Sequence, residues 1–259
     1  MRIATWNVNS LKVRLPRVEE FLGYADVDVV CLQETKLSNK AFPALTFQEL
    51  GYDSVHHGQG QWNGVAILSR VGLHDAAEGF GADRLDPYDG DARLVAATCG
   101  GIRIVSVYVP NGRVVGTDHY ERKLEWFATL RRWLGEQHSP DDPIAILGDY
   151  NVAPEDRDVW KIEAFAGSTH VTPAERRAVS ALGDWGLDDL FRRVYPDVDG
   201  LFSYWDYRAG DFHQHRGMRI DLALGTRPVA ERVTWAVVDR NARKGTLPSD
   251  HAPVIIDLA

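Results

Sequence analysis

The chain has 259 residues, 44% apolar and 25% charged, the balance of a soluble globular protein with ample material for a core. No apolar stretch reaches 18 residues, so no membrane-spanning helix is expected; Cys31 and Cys99, both in apolar runs, make neither a disulfide framework nor a zinc site. The formal net charge of −8 argues against a polyanionic partner unless basic residues cluster locally.

The opening "MRIATWNVN" enters a strand directly and lacks the succession of a secretion signal. With two buried, reduced thiols expected, it predicts a cytoplasmic protein. A helix follows over Val13 to Tyr24, with Val18, Phe21 and Leu22 behind Pro16. Strands are expected in "RIATWN", "VDVVCLQ", "GVAILSR", "RLVAATC", "IRIVSVYV", "IAILGD", "RIDLALG", "ERVTWAVV" and "APVIIDL". Several are apolar on both faces, which means cover on both sides. Gly100-Gly101 joins two of them as a hairpin. Residues 118 to 138 place Leu124, Phe127, Leu130, Trp133 and Leu134 close to a helical stripe. Thr172-Pro173 reads as an N-cap with proline at the first helical position, and glycine stops that helix. Asp75 to Gly90 and Tyr207 to Gly217 read as long polar loops. The hairpin and the missing glycine-rich phosphate loop weaken a single doubly wound sheet. An α/β fold of two mixed sheets, packed face to face with helices outside, covers the strands best.

Polar residues collect where these strands end. "IATWNVN" presents Asn7, with Asn9 on the same face, and "VVCLQET" ends in Glu34. "VSVYVPN" ends near Tyr108 and Asn111, and "ILGDYN" offers Asp149 and Asn151. Asp221 lies in "GMRIDLAL", and Asp250 and His251 precede the last strand. One buried carboxylate is usually a satisfied structural group. Several carboxylates with amides and a histidine cost too much unless they converge on shared partners. Carboxylate and amide oxygens without thiols suit magnesium, with manganese as a substitute, and suggest metal-assisted phosphoester hydrolysis.

"TWNVNSL", "LQETK", "YVPNG", "GDYNVAP", "RIDLAL" and "SDHAPV" occur in that order. The chain resembles the exonuclease III family of AP endonucleases, within the endonuclease/exonuclease/phosphatase superfamily, in its compact bacterial form. The resemblance implies a four-layer αββα sandwich over residues 1–259, one catalytic domain with its site at the sheet ends. It implies Glu34 as principal metal ligand, helped by Asn7 and Asp250. It implies Asp149 as the group that handles the attacking water, and Asn151 as a donor to the scissile phosphate. Tyr108 would steady the phosphate or the leaving oxygen, and His251, held by Asp221, would bind phosphate. Asn111 would contact substrate, and Tyr204, Met218 and Ile220 match a pocket for a base-less sugar. Asn9 stands where some relatives carry an aspartate, and Arg113 lies near a DNA-inserting arginine of some relatives.

The implied partner is duplex DNA with abasic sites or 3′ ends, bound by a monomer and cut 5′ to abasic sites or trimmed from its 3′ ends. Basic residues gather near the site: Arg208, Arg216 and Arg219 around one loop, and Arg240, Arg243 and Lys244 before Asp250. Arg243 and Lys244 are the expected phosphate contacts. Trp205 and Tyr207 are expected to pack, and His56, His57, His213 and His215 to be solvated. The alternatives are a phosphatase of the same superfamily acting on a phosphoinositide or other small phosphoester, and a non-catalytic DNA-binding relative.

Overall fold

The computed structural model describes residues 1–81, 88 and 90–259. Its strands are β1 (Arg2–Asn7), β2 (Val29–Gln33), β3 (Asp53–His57), β4 (Val65–Ser69), β5 (His74–Glu78), β6 (Leu94–Cys99), β7 (Ile102–Tyr108), β8 (Ile144–Asp149), β9 (Leu187–Asp189), β10 (Asp221–Thr226), β11 (Val233–Val238) and β12 (Val254–Leu258). The helices are α1 (Leu11–Ala25), α2 (Ala44–Glu49), α3 (Asp118–Gln137), α4 (Pro173–Trp185), α5 (Leu190–Val194) and α6 (Arg227–Ala230). One sheet runs β11-β12-β1-β2-β4-β3 and the other β5-β6-β7-β8-β10-β9. Both are mixed, because β1–β2 and β7–β8 pair in parallel and the other neighbours antiparallel.

Three apolar clusters give the layers. Ile3, Val29, Cys31 and Ile67 of the first sheet meet Val95, Ile104, Ala145, Leu147 and Ala223 of the second between the sheets. Ala4, Trp6, Val30 and Leu32, on the opposite face of the first sheet, pack with Phe21 and Phe47 of α1 and α2. Val105, Val107 and Ile146 pack with Trp126, Phe127, Leu130 and Trp133 of α3. The order is helix, sheet, sheet, helix, as expected, and both strand faces are apolar because both are covered.

Local signals explain several elements. Thr172 Oγ1 accepts from the Glu175 N–H at 3.2 Å, and Glu175 Oε2 accepts from the Thr172 N–H at 3.1 Å, a complete capping box. Gly186, at φ 127°, ends that helix. Gly100 and Gly101, at φ 55° and 79°, make the expected hairpin between β6 and β7.

Some expectations need correction. α1 begins at Leu11, before Val13, and Pro16 lies inside it. In α3, Trp126 is fully buried and Leu124 only half-buried. The polar stretch from Asp75 begins as part of β5, while residues 82–87 and 89 lie outside the described residues. His56 and His57 belong to β3. His56 is buried, stacked on Phe42 at 4.3 Å and hydrogen-bonded to Thr35 Oγ1 at 2.8 Å.

Gly148 of β8 is a steric requirement of the fold. A Cβ there would lie 1.9 Å from the Val107 carbonyl oxygen of the neighbouring strand. Gly148→Ala is therefore expected to cost on the order of 3 kcal/mol in urea unfolding, as backbone overpacking does. An unchanged midpoint would show that β7 and β8 separate freely.

Candidate active site

Strand alternation assembles the site. Ile3, Thr5 and Asn7 share one face of β1, and Ala145, Leu147 and Asp149 share one face of β8. Ile104, Ser106 and Tyr108 of β7, and Cys31 and Gln33 of β2, follow the same rule. The face between the sheets is thus apolar at one end and polar at the other. Register aligns Tyr108 with Asp149 and Asp221 with Asp149. Behind them, Thr5 Oγ1 donates to Gln33 Oε1 at 3.1 Å, and Gln33 Nε2 donates to Ser106 Oγ at 3.1 Å. These bonds satisfy the polar groups that separate core from site.

Asp149 is the hub. Its Oδ2 accepts from Asn7 Nδ2 at 2.9 Å, and its Oδ1 from the Asn151 N–H at 2.8 Å. His251 Nε2 lies 3.9 Å from Asp149 Oδ2, while His251 Nδ1 is 2.8 Å from Asp221 Oδ2. Burial opposes ionisation of Asp149; His251 counters this, while Asp221 and Glu34 reinforce it, and the carboxyl is pushed up to about 7. Burial disfavours the His251 imidazolium, but Asp221, Asp149 and Asp250 outweigh it and push His251 up to about 10. Burial, with Glu34 and Asp149 nearby, raises the Tyr108 hydroxyl well above its ordinary range. It stays a donor at neutral pH.

Glu34 marks the other side. Asn7 Nδ2 donates to its Oε1 at 2.8 Å, and Lys36 Nζ sits 3.0 Å from its Oε2. Burial raises this carboxyl, yet Lys36 and the Asn7 amide outweigh it and hold it below the usual range. Lys36 Nζ also donates to Asn9 Oδ1 at 2.6 Å, and Asn9 Nδ2 donates to Asp250 Oδ1 at 3.1 Å. Glu34 and Asp250 are therefore connected through Lys36 and Asn9. Neither Asn9's place in that relay nor Lys36 was anticipated, although Lys36 stands in the quoted "LQETK".

The set suits a hard cation on its own chemistry. Asp149, Asp221 and His251 bring ligand atoms within 4.8 Å of one another, a group able to hold a metal ion. Asp221 Oδ1 is buried without a hydrogen-bond partner among the described residues. His251, however, holds its proton and cannot ligate while it does. The Glu34 carboxylate, kept ionised by Lys36 and the Asn7 amide, offers the anionic oxygens a hard cation needs, with the Lys36 ammonium giving way to it. Asn7 ties Glu34 to Asp149: its amide nitrogen donates to both carboxylates, and its oxygen accepts from the Asn9 N–H at 3.0 Å with one lone pair to spare.

Asn151 Nδ2 donates to the Val109 carbonyl at 2.9 Å, and its Oδ1 accepts from Asn111 Nδ2 at 3.1 Å. A cleft of about 510 Å³ opens beside them, lined among others by Asn111, Trp160, His170, Tyr204 and Met218. The Tyr204 ring lies 4.8 Å from the His251 ring. Ile220, 2% exposed, lies behind the cleft in a cluster with Met218, Ala153 and Val159. Its direct contact with a sugar is corrected to support of Met218. His170 was not anticipated either; its signal, a lone histidine before a helix cap, is too weak to find alone.

The basic clusters also need correction. Arg243 is 7% exposed, donates to the Ser249 carbonyl and lies over the rings of Trp205, Tyr207 and Phe212. It is a packing residue. Arg219 is 1% exposed and paired with Asp158 and Asp189. Lys244 and Arg240 remain exposed.

Residues 4–251 match the model of the Endonuclease/Exonuclease/phosphatase family. The chain belongs to that family. Exodeoxyribonuclease III of Haemophilus influenzae is 32% identical, over 98% of each chain. Among solved structures, an AP endonuclease from Archaeoglobus fulgidus is 33% identical with a TM-score of 0.95, over 100% of this chain and 99% of the other. The 3′ phosphatase NExo from Neisseria, bound to a product DNA hairpin, is 37% identical with a TM-score of 0.94, again over 100% and 99%. Within the family, this chain is a nuclease of the exodeoxyribonuclease III and AP endonuclease group.

The Asp221–His251 pair gives a direct test. Free histidine titrates near 6.5, so the imidazolium stabilises the fold fully below that pH and ceases to as pH rises through about 10. Asp221→Asn is expected to lower the His251 pKa by about one to three pH units in metal-free protein, read by NMR of the ring protons. Titration still near 10 would mean that Asp149 and Asp250 alone hold the proton.

Proposed function

We propose that residues 1–259 form one catalytic domain, a magnesium-dependent DNA repair nuclease acting on 3′ ends of duplex DNA and 5′ to abasic sites. The observation that carries this reading is the place of Asp149. It stands between a cation-seeking carboxylate, Glu34, and an imidazolium, His251. A base held there can take a proton from water while both sides stabilise phosphate charge.

The roles follow from the contacts. Asp149 accepts the proton of the attacking water, with Asn7 and the Asn151 N–H fixing its two oxygens. His251, held protonated by Asp221, donates to a phosphate oxygen. Asn151 keeps one amide hydrogen beyond its bond to Val109 for the same phosphate. Tyr108, held as a phenol, donates to the leaving oxygen. Glu34, helped by Asn7 and by Asp250, which is linked to it through Asn9 and Lys36, would hold the metal, which would supply positive charge to the phosphate and lower the pKa of bound water; manganese can substitute. Tyr204 and Met218 would receive a sugar in the cleft, where a flipped nucleotide enters at least cost if it lacks a base.

The deciding experiment presents three duplexes, with an internal abasic analogue, a 3′ phosphate at a nick, and a plain recessed 3′ end. Each is incubated with and without magnesium beside a soluble phosphoinositide. Metal-dependent cleavage of the DNA substrates is expected. Phosphate release from the phosphoinositide alone would transfer the activity to the small-phosphoester reading.

Two variants test the roles. Asp149→Asn is expected to slow single-turnover hydrolysis by about 100- to 10,000-fold while duplex affinity persists. A rate within about tenfold of the parent would remove Asp149 from proton transfer. Glu34→Gln is expected to raise the magnesium midpoint for activity, because a neutral amide holds a hard cation less well. An unmoved midpoint would place the metal elsewhere.

A further inference from the structure

The side chains of Lys123, on α3, and Glu175, on α4, are 0% exposed and 2.5 Å apart. A buried ion pair is a poor way merely to join two helices, since apolar side chains of the same volume often do as well or better. The other bonds of this pair go to the loops of the active site. Lys123 Nζ donates to the Asn151 carbonyl at 2.7 Å and the Asn111 carbonyl at 3.2 Å. Glu175 Oε1 accepts from Thr169 Oγ1 at 2.6 Å and from the His170 N–H at 3.0 Å. Thr169 Oγ1 also lies 3.1 Å from the Asn111 carbonyl. One buried pair therefore grips three loops that leave different elements; two of them, at Asn111 and at Thr169 and His170, line the cleft, and Asn151 bonds to both.

The grip falls where the backbone is least able to hold itself. Asn151 sits at φ 51° and Gly112 at φ 83°. A Cβ on Gly112 would lie 2.9 Å from Lys123 Cδ, so that loop is pressed onto the lysine stem. Asn151 must keep its left-handed turn to present its N–H to Asp149 and its amide to Asn111. We propose that Lys123 and Glu175 are positioning residues that hold Asn111 and Asn151 in reactive register. This rests on the reading that Asp149 and Asn151 act on a phosphoester.

The test removes both charges together, so that neither is left buried alone. Lys123→Met with Glu175→Gln is compared with the parent by thermal unfolding, duplex binding and steady-state kinetics. Thr169→Val, which deletes one hydroxyl and keeps the pair, is the milder second variant. The proposal expects kcat to fall about 10- to 100-fold in the double variant, and less in Thr169→Val, with KM and duplex affinity near the parent's. Folded variants with unchanged kcat, or a loss carried by KM alone, overturn it. Should the double variant not fold, an unchanged kcat in Thr169→Val overturns it equally. A parent that leaves every DNA substrate intact would instead sink the functional reading on which the proposal rests.

Discussion

Three carboxylates share the polar end of a space enclosed by two sheets, and the site depends on how little opposes them. Asp149 and Asp221 are almost completely buried, and Glu34 touches the same amide as Asp149. Charge in such surroundings must be met by cations or hydrogen bonds, or it is lost to protonation. His251 meets Asp221 at 2.8 Å, and Lys36 meets Glu34 at 3.0 Å. Asp149 meets the same imidazolium only at 3.9 Å and rises to about 7. The least compensated carboxylate is thus the one best fitted to take a proton, while its neighbours are tied to the cations that phosphate and metal chemistry need.

Much of this was legible because it followed from alternation. A run that is apolar and then ends in Asn, Asp or Tyr announces a strand whose end is functional; β1, β7 and β8 carry that pattern, and antiparallel β10 carries its reverse, beginning with Asp221. Strands β3, β5 and β9 carried no such pattern for a single reason. All three lie at or next to solvent as edge strands, β3 at one end of the first sheet and β5 and β9 at the two ends of the second. An edge strand needs no continuous apolar run, and "HDAAE" in β5 is exposed throughout. Asn7 illustrates a different limit. Its presence at the site was visible in the sequence, but which end of its amide faces the carboxylates depends on the Asn9 N–H, a contact set by a turn.

Arginine was the least legible residue type. Arg208, Arg216 and Arg219 around one loop and Arg240, Arg243 and Lys244 before Asp250 look alike as basic clusters, yet Arg219 is sealed among Asp158 and Asp189 while Lys244 is exposed. Proximity in sequence shows where positive charge is available, not whether it is already spent on an internal carboxylate or an aromatic face. Arg243 has an internal purpose: its bond to the Ser249 carbonyl braces the turn that carries Asp250 and His251. The protein can therefore be acidic overall, keep basic residues around its cleft, and still devote several of them to holding the site's walls.

Those walls end in left-handed backbone. Asn9, Ser10, Glu34, Lys36, Arg113, Asn151 and His170 all have positive φ, a conformation that costs a side-chain-bearing residue about 1–2 kcal/mol. A strand that continued straight would carry its polar side chain past the site. A single left-handed residue turns the chain within one step and brings backbone N–H groups inward, as at Asn9 onto Asn7 and at Asn151 onto Asp149. The turned backbone is held by buried bonds: Val8 N–H to the Gln33 carbonyl at 3.0 Å, Ser10 N–H to the Glu34 carbonyl at 2.7 Å, and Lys123 to the Asn151 carbonyl at 2.7 Å. Strain and its restraint are found in the same few residues. A substitution that relaxes such a turn would move a reacting group without emptying the core, so the loss would appear in the rate before it appeared in the stability.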